Sequence, residues 1–257
     1  MKSSPIWSQD DNALHPLVQS YTVGSDIAYD QKLLGYDIQA TKAHCKMLSQ
    51  VGLLMPSELT KLLSELEALY QAWESGTFVL TAEYEDGHTA IEAYLTAQLG
   101  RIGKKVHTAR SRNDQALVMM RLYLRDKLIE IGELLEETAQ AFAEKSLFFE
   151  ELPMPGYTHT QRAMPTTVGL WLGSFADAFT DMAQHLQATM HTIDQNPLGS
   201  AAGFGISIDI DRDVTTKELA FAKTQENPMY CGISRGVFEL MAVQSLNPIM
   251  VFAGKFA

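Results

Sequence analysis

The stretch Asn113–Phe149, NDQALVMMRLYLRDKLIEIGELLEETAQAFAEKSLFF, decides the fold. Leu117, Leu124, Leu128, Ile131, Leu135 and Phe142 recur at spacings of seven, four and three, one stripe of an α-helix. No proline interrupts the stretch, and at 1.5 Å per residue it predicts a helix of about 50 Å. The polar segment Met154–Thr167, MPGYTHTQRAMPTT, follows. A second stripe then runs Val168, Leu172, Phe175, Phe179, Met182, Leu186, Met190, Ile193. Two such helices joined by a short, stiff loop form an antiparallel pair, the beginning of a bundle. The expected fold class is all-α.

On the N-terminal side, Ile27–Val51 reads as a long helix interrupted at Gly35 and ended by Gly52. Pro56 opens another, with Gly76 past its end. FVLT at 78–81 is the only strand-like piece, and EDGHTAIEAYLTAQLG is a helix stopped by Gly100. On the C-terminal side, NPLGSAAGFGISI is glycine-rich and irregular. DRDVTTKELAF is a short helix that Asp211 or Asp213 can cap. From Gly236 the chain is apolar nearly all round, so this helix is expected in the middle of a core, with the chain ending partway through it.

The chain has 257 residues, 46% of them hydrophobic, enough for a substantial core. With 20 Lys and Arg against 31 Asp and Glu, the net charge is -11. That balance argues against a nucleic-acid or anionic-membrane surface. No apolar run is read as long enough to span a bilayer, and MKSSPIWSQDDN lacks the apolar core of a secretory signal. Cys45 and Cys231 lie far apart and read as free thiols of a reducing compartment. A soluble cytoplasmic protein is expected.

Three polar clusters sit at helix boundaries: Glu85 to His88, Ala109 to Gln115, and Tyr157 to Arg162. Each has a plain structural reading: first-turn charges, a helix cap formed by Asn113 and Asp114, and a loop histidine. Together they suggest chemistry. Arg110 and Arg112 place two guanidinium forks beside a helix N-terminus, a setting for a carboxylate-rich small molecule. His159, among hydroxyls and an amide, suits neutral acid/base work if it lies near a helix N-terminus. The 199–205 loop lacks a nucleotide fingerprint and reads equally as a substrate loop or a connector. No Cys-x-x-Cys or His-Glu-x-x-His spacing occurs, so a metal site is not expected.

GKKVHTARSRNDQ and MPGYTHTQRAMPTTVG closely resemble two blocks of the argininosuccinate lyases, within the fumarase/aspartase superfamily. EDGHTAIEAYL and NPLGSAAGFG resemble two further segments, in the family's order. The resemblance implies a fumarase/aspartase-like N-terminal helical domain over residues 1–107 and part of a long central helical bundle over 108–257. It implies a homotetramer when full length, active sites built from three subunits, and cleavage of argininosuccinate to arginine and fumarate without a cofactor, in arginine biosynthesis or the urea cycle. His159 matches the proton-transfer histidine, and Thr158 and Asn113 match substrate-binding residues. Ser111, Arg112, His88 and Gln161 lie in matching segments, and Asp26, with Ser25 beside it, falls where the family has a substrate-binding serine. Ala109 stands where glycine is usual, and Thr160 where leucine is usual.

The family's mobile Gly-Ser-Ser-x-Met-Pro-x-Lys-x-Asn loop, which carries its catalytic serine, is not among these 257 residues. Little or no turnover is therefore expected of this chain by itself. The alternatives are a truncated pseudoenzyme that binds ligand or pairs with full-length subunits, and a related lyase of the superfamily.

Overall fold

A computed structural model describes residues 25–81 and 84–257, together with Leu17 and Tyr21. The segment MKSSPIWSQDDN, read above for a secretory signal, lies outside the described residues. Packing divides the described residues into two compact units: those up to 123 with 195–235, and 124–194 with 236–257. The long helix predicted from the stripe is present as Arg112–Phe148, and its residues contribute to both units.

The first unit is built on three helices: α1 (Asp26–Gln50), α2 (Pro56–Glu74) and α3 (Gly87–Leu99). Leu34, Ile38 and Leu48 of α1 meet Leu62, Leu66 and Leu69 of α2 and Ile91 and Leu95 of α3 in one core. Against expectation, α1 is not interrupted at Gly35. The residue is where Trp73 packs, and a Cβ there would sit 2.5 Å from the indole ring. FVLT is not a strand. Leu80 donates its N–H to the Gln31 side chain at 2.7 Å, and Gln31 Nε2 donates to the Phe78 carbonyl at 3.4 Å. A side chain thus takes backbone groups that a sheet ladder would otherwise use.

A 3-10 turn at Gly103–His107 leads to α4 (Arg112–Phe148). The first turns of α4 bury Val118 and Leu122 against Ala40 and Ala43 of α1 and against Leu198, Leu219 and Phe221. Arg121, 2% exposed, donates to the Gln195 carbonyl at 2.7 Å, to Gln225 Oε1 at 2.5 Å and to Ser234 Oγ at 2.8 Å, pinning the 195–235 segment to the helix.

In the second unit α4 meets α5 (Val168–Ile193) in opposite chain sense: Leu128 clusters with Leu186, Leu135 with Phe179, and Phe142 stacks near Phe175 with ring centroids 5.6 Å apart. The antiparallel pair is as the stripes predicted. MPGYTHTQRAMPTT, expected as a loop, is an antiparallel hairpin of β1 (Pro153–Thr158) and β2 (Gln161–Thr167). Its ladder is irregular between Pro155 and Tyr157, where Gly156 passes so near the Met164 carbonyl that a Cβ would lie 2.6 Å from the oxygen.

The last helix, Val237–Phe256, follows the short helices Arg212–Glu218 and Pro228–Ile233, which in chain order makes it α8 after α6 and α7. Phe238 and Ala242 of α8 are buried with Leu128, Leu186 and Ile193, but Leu240, Val243, Met250 and Val251 are exposed. The expectation of burial on every side is thus corrected: α8 packs by one face. By length and composition α8 could cross a membrane, which also corrects the reading that no apolar segment is long enough. Its packed face is that of a bundle helix.

Candidate active site

The first unit gathers two of the three polar clusters. Asp86 is the N-cap of α3, its Oδ1 accepting the Thr89 N–H at 2.7 Å, so its charge stabilises the helix start. Gly87 at that start donates its N–H to Asp30 Oδ2 of α1 at 2.8 Å. Two turns along α1, Asp37 Oδ2 lies 2.5 Å from His88 Nδ1. Asp37 is fully buried and the His88 side chain is 10% exposed. Burial lowers the basicity of His88, but the charge and hydrogen bond of Asp37, with Asp86 beyond, outweigh it, and the imidazole is held above its ordinary range.

The two forks of the ARSRND segment have different uses. Arg110, 8% exposed, donates to Thr41 Oγ1 of α1 at 3.0 Å and anchors the segment in the interior. His44, one turn further along α1, is fully buried with Nε2 2.9 Å from the Thr108 carbonyl. Burial, aided by the Arg110 charge, pushes His44 down to about 3, so it is neutral. Arg112 lies 3.0 Å from Glu85 Oε2 and 3.1 Å from Asp86 Oδ2, and it donates to Thr89 Oγ1 at 3.0 Å. The acid pair is thus the counter-charge of Arg112 as well as a helix cap.

Ser111 and Asp114 start α4 reciprocally. Ser111 Oγ accepts the Asn113 N–H at 3.2 Å, and Asp114 Oδ1 accepts the Ser111 N–H at 2.9 Å. Burial pushes the Asp114 carboxyl up against the N–H donors and Arg110, which pull it down. The cap therefore falls to Ser111 with Asp114. Asn113 remains exposed, its Nδ2 3.3 Å from Ser111 Oγ and its Oδ1 receiving Arg235 at 3.2 Å. His88, Glu92, His107, Arg110, Arg112 and Gln115 line a small cleft. Ser25 and Asp26 are exposed at the start of α1, and Asp26 is one turn before Asp30.

Thr158, His159 and Gln161 belong to the second unit, at the exposed tip of the β1–β2 hairpin. Thr158 pairs with Gln161, leaving His159 and Thr160 as a two-residue turn with φ of 50° and 60°. Both central residues are left-handed, as a type I′ hairpin requires. The expected placement of His159 near a helix N-terminus is corrected: α5 begins only at Val168, and the imidazole stands on a turn. The left-handed conformation is costly for histidine and more so for β-branched Thr160.

Sequence reasoning missed Asp30, Asp37 and Arg235. Asp37 carried a usable signal: it falls three residues after Leu34 and four before Thr41, an acid on a buried stripe. Among the described residues no group of three or more His, Cys, Asp or Glu could hold a metal ion. Cys45 and Cys231 are free thiols, and both are buried.

The chain is 45% identical to the argininosuccinate lyase of Xanthomonas axonopodis pv. citri over 242 residues, 94% of this chain and 56% of that protein. It is 43% identical to the argininosuccinate lyase of Xylella fastidiosa, over 94% of this chain and 54% of that one. The chain thus spans about half the length of the curated relatives it matches. A solved structure of EDDS lyase in complex with formate matches with a TM-score of 0.78 at 24% identity, covering 95% of this chain and 49% of that one. A variant of EDDS lyase with bound fumarate matches with a TM-score of 0.71 at 27% identity, covering 86% and 44%. The sequence profile described as Lyase matches residues 16–257, and the chain, all-α as its sequence predicts, belongs to that lyase family.

Proposed function

We propose that the chain provides part of an argininosuccinate lyase, which cleaves argininosuccinate to arginine and fumarate by β-elimination in arginine biosynthesis. The observation that carries this reading is the 43–45% identity to argininosuccinate lyases over 94% of the chain. With it we propose a cytoplasmic homotetramer, needing no cofactor, and a division after residue 107 into an N-terminal helical domain and a bundle domain. The related-lyase reading and the urea cycle are set aside because the curated relatives cited are bacterial argininosuccinate lyases.

The chemistry requires removal of a proton beside a carboxylate, stabilisation of the charge that develops there, and a proton for the departing guanidino group. Asn113, Ser111 and the charged edge formed by Arg112 and His88 bind and orient the carboxylates. Thr158 and Gln161 flank His159, which moves the proton. Ser25 and Asp26 contact the substrate from the start of α1. Strain at the turn supports the role of His159, since a left-handed His-Thr pair is a conformation that packing alone does not favour on an exposed tip.

Turnover tests the reading. The purified chain is incubated with argininosuccinate and fumarate is followed by ultraviolet absorbance. The incubation is repeated with a full-length relative inactivated at the histidine aligned with His159. The chain alone is expected to be silent and the co-assembled mixture active, with activity lost when this chain carries His159→Ala. A mixture that co-assembles and stays silent defeats the proposal.

A further inference from the structure

The Asp37–His88 pair has a geometry that a plain buried ion pair does not need. Asp37 is fully buried on α1, and among the described residues its only ion-pair partner is His88, 51 positions away in sequence. Its second oxygen, Oδ1, has no hydrogen-bond partner among the described residues. An ionised carboxylate in that setting is costly unless a cation faces it. With Nδ1 engaged by Asp37, the nitrogen left to face the cleft that His88 lines is Nε2.

We infer that Asp37 is the positioning residue for His88: it takes the Nδ1 proton into a buried hydrogen bond, fixes the ring, and leaves Nε2–H as a donor to a carboxylate of the bound ligand. This rests on the lyase reading for the identity of the ligand, a dicarboxylate, and on geometry alone for the pairing. A histidine whose ring is fixed by a carboxylate on one nitrogen presents a defined donor at the other. The charges around the ring are mixed. Asp30 and Asp86 stand near it together with Asp37, Arg110 opposes them, and Glu92, His107 and Arg112 share the cleft wall. Burial disfavours the charged imidazole, and the acids on α1 and at the cap of α3 overcome it. Arg112 is already met by Glu85 and Asp86, so the ring supplies a cleft donor that is not committed to those two carboxylates.

The test is nitrogen-detected NMR of the histidine-labelled chain, with His88 assigned from a His88→Gln variant. In the wild-type chain Nδ1 is expected to carry a strongly deshielded proton, and the ring to titrate above an unpaired imidazole. Asp37→Asn is expected to move that titration down and to weaken fumarate, the probe ligand, roughly tenfold, the loss of one charged hydrogen bond. His159 signals should stay where they are. A wild-type Nδ1 without a proton overturns the inference and needs no variant. So does an Asp37→Asn chain with unchanged His88 titration and unchanged fumarate affinity. A wild-type chain that shows the paired ring but binds no fumarate counts against the lyase reading, because the pairing is read from nitrogen shifts alone.

Discussion

Asp114 Oδ2 accepts the backbone N–H of Gly199 at 2.9 Å, across 85 positions of sequence, and the neighbouring Ala201 N–H at 3.0 Å. The same carboxylate caps α4 through Ser111. The helix that carries Arg112 and Asn113 and the glycine loop are therefore fastened at one buried acid. The sequence left that loop open between a substrate loop and a connector, and its first residues are anchored.

Removing this acid should be felt strongly. Asp114→Ala deletes three hydrogen bonds to a buried charged group and is expected to cost about 3 kcal/mol in urea unfolding. Asp114→Asn keeps an acceptor and should cost less. Equal, small losses in both would show that the loop is not held from this point.

His44 predicts an acid-side instability with a definite sign. Its folded value of about 3 lies below the 6.5 of a free imidazole, so below 6.5 the unfolded chain binds the extra proton. The contribution is therefore intact above that point and is lost as pH falls toward 3, at up to about 1.4 kcal/mol per pH unit. His44→Gln can still donate to the Thr108 carbonyl but does not titrate, and should flatten this limb in urea melts at several pH values. His88 acts in the opposite sense. Its raised value adds stability present below the free-imidazole range and lost as pH rises through the folded value. An unchanged acid limb in His44→Gln would show that His44 does not set it.

Gly35 is a contact position. A methyl group there would meet the Trp73 ring at 2.5 Å, and Trp73 Nε1 is tied to the Gln31 carbonyl at 2.7 Å, which limits how far the ring can retreat. Gly35→Ala should destabilise by about 1–3 kcal/mol despite the better helix propensity of alanine, and shift tryptophan fluorescence. A gain in stability would mean the indole yields freely.

Thr160 pays the steric cost of a left-handed β-branched residue. Thr160→Gly should raise stability by about 1 kcal/mol in thermal melts while leaving His159 in place. A loss instead would show that the Thr160 Oγ1 bond to the His159 carbonyl, 2.6 Å long, outweighs the strain.

The helices were legible because burial imposes a spacing of three and four on one stripe, as for Leu128, Ile131 and Leu135 of α4 and for Leu186, Met190 and Ile193 of α5. The hairpin was not. Its residues are mostly exposed, its strands carry three prolines at positions 153, 155 and 165, and neither strand alternates polar with apolar. Pairing there is set by the turn and by Gly156, which leave no periodic signal. Ala109 shows the same limit: the departure from glycine was visible, but only its φ of 58° explains why glycine suits the place. Candidate site residues could be named one by one where the family resemblance reached. Partnerships across the fold, such as Asp37 with His88, have no spacing to betray them.

Arg112 and Asn113 are proposed above to bind argininosuccinate. Thermal melting of the 257-residue chain with argininosuccinate, with fumarate absorbance read in the same samples, tests it most directly. A saturable rise in melting temperature is expected, lost in Arg112→Ala and Asn113→Ala, without fumarate release by the chain alone. A melting temperature indifferent to argininosuccinate, or a rise that survives both substitutions, would contradict it.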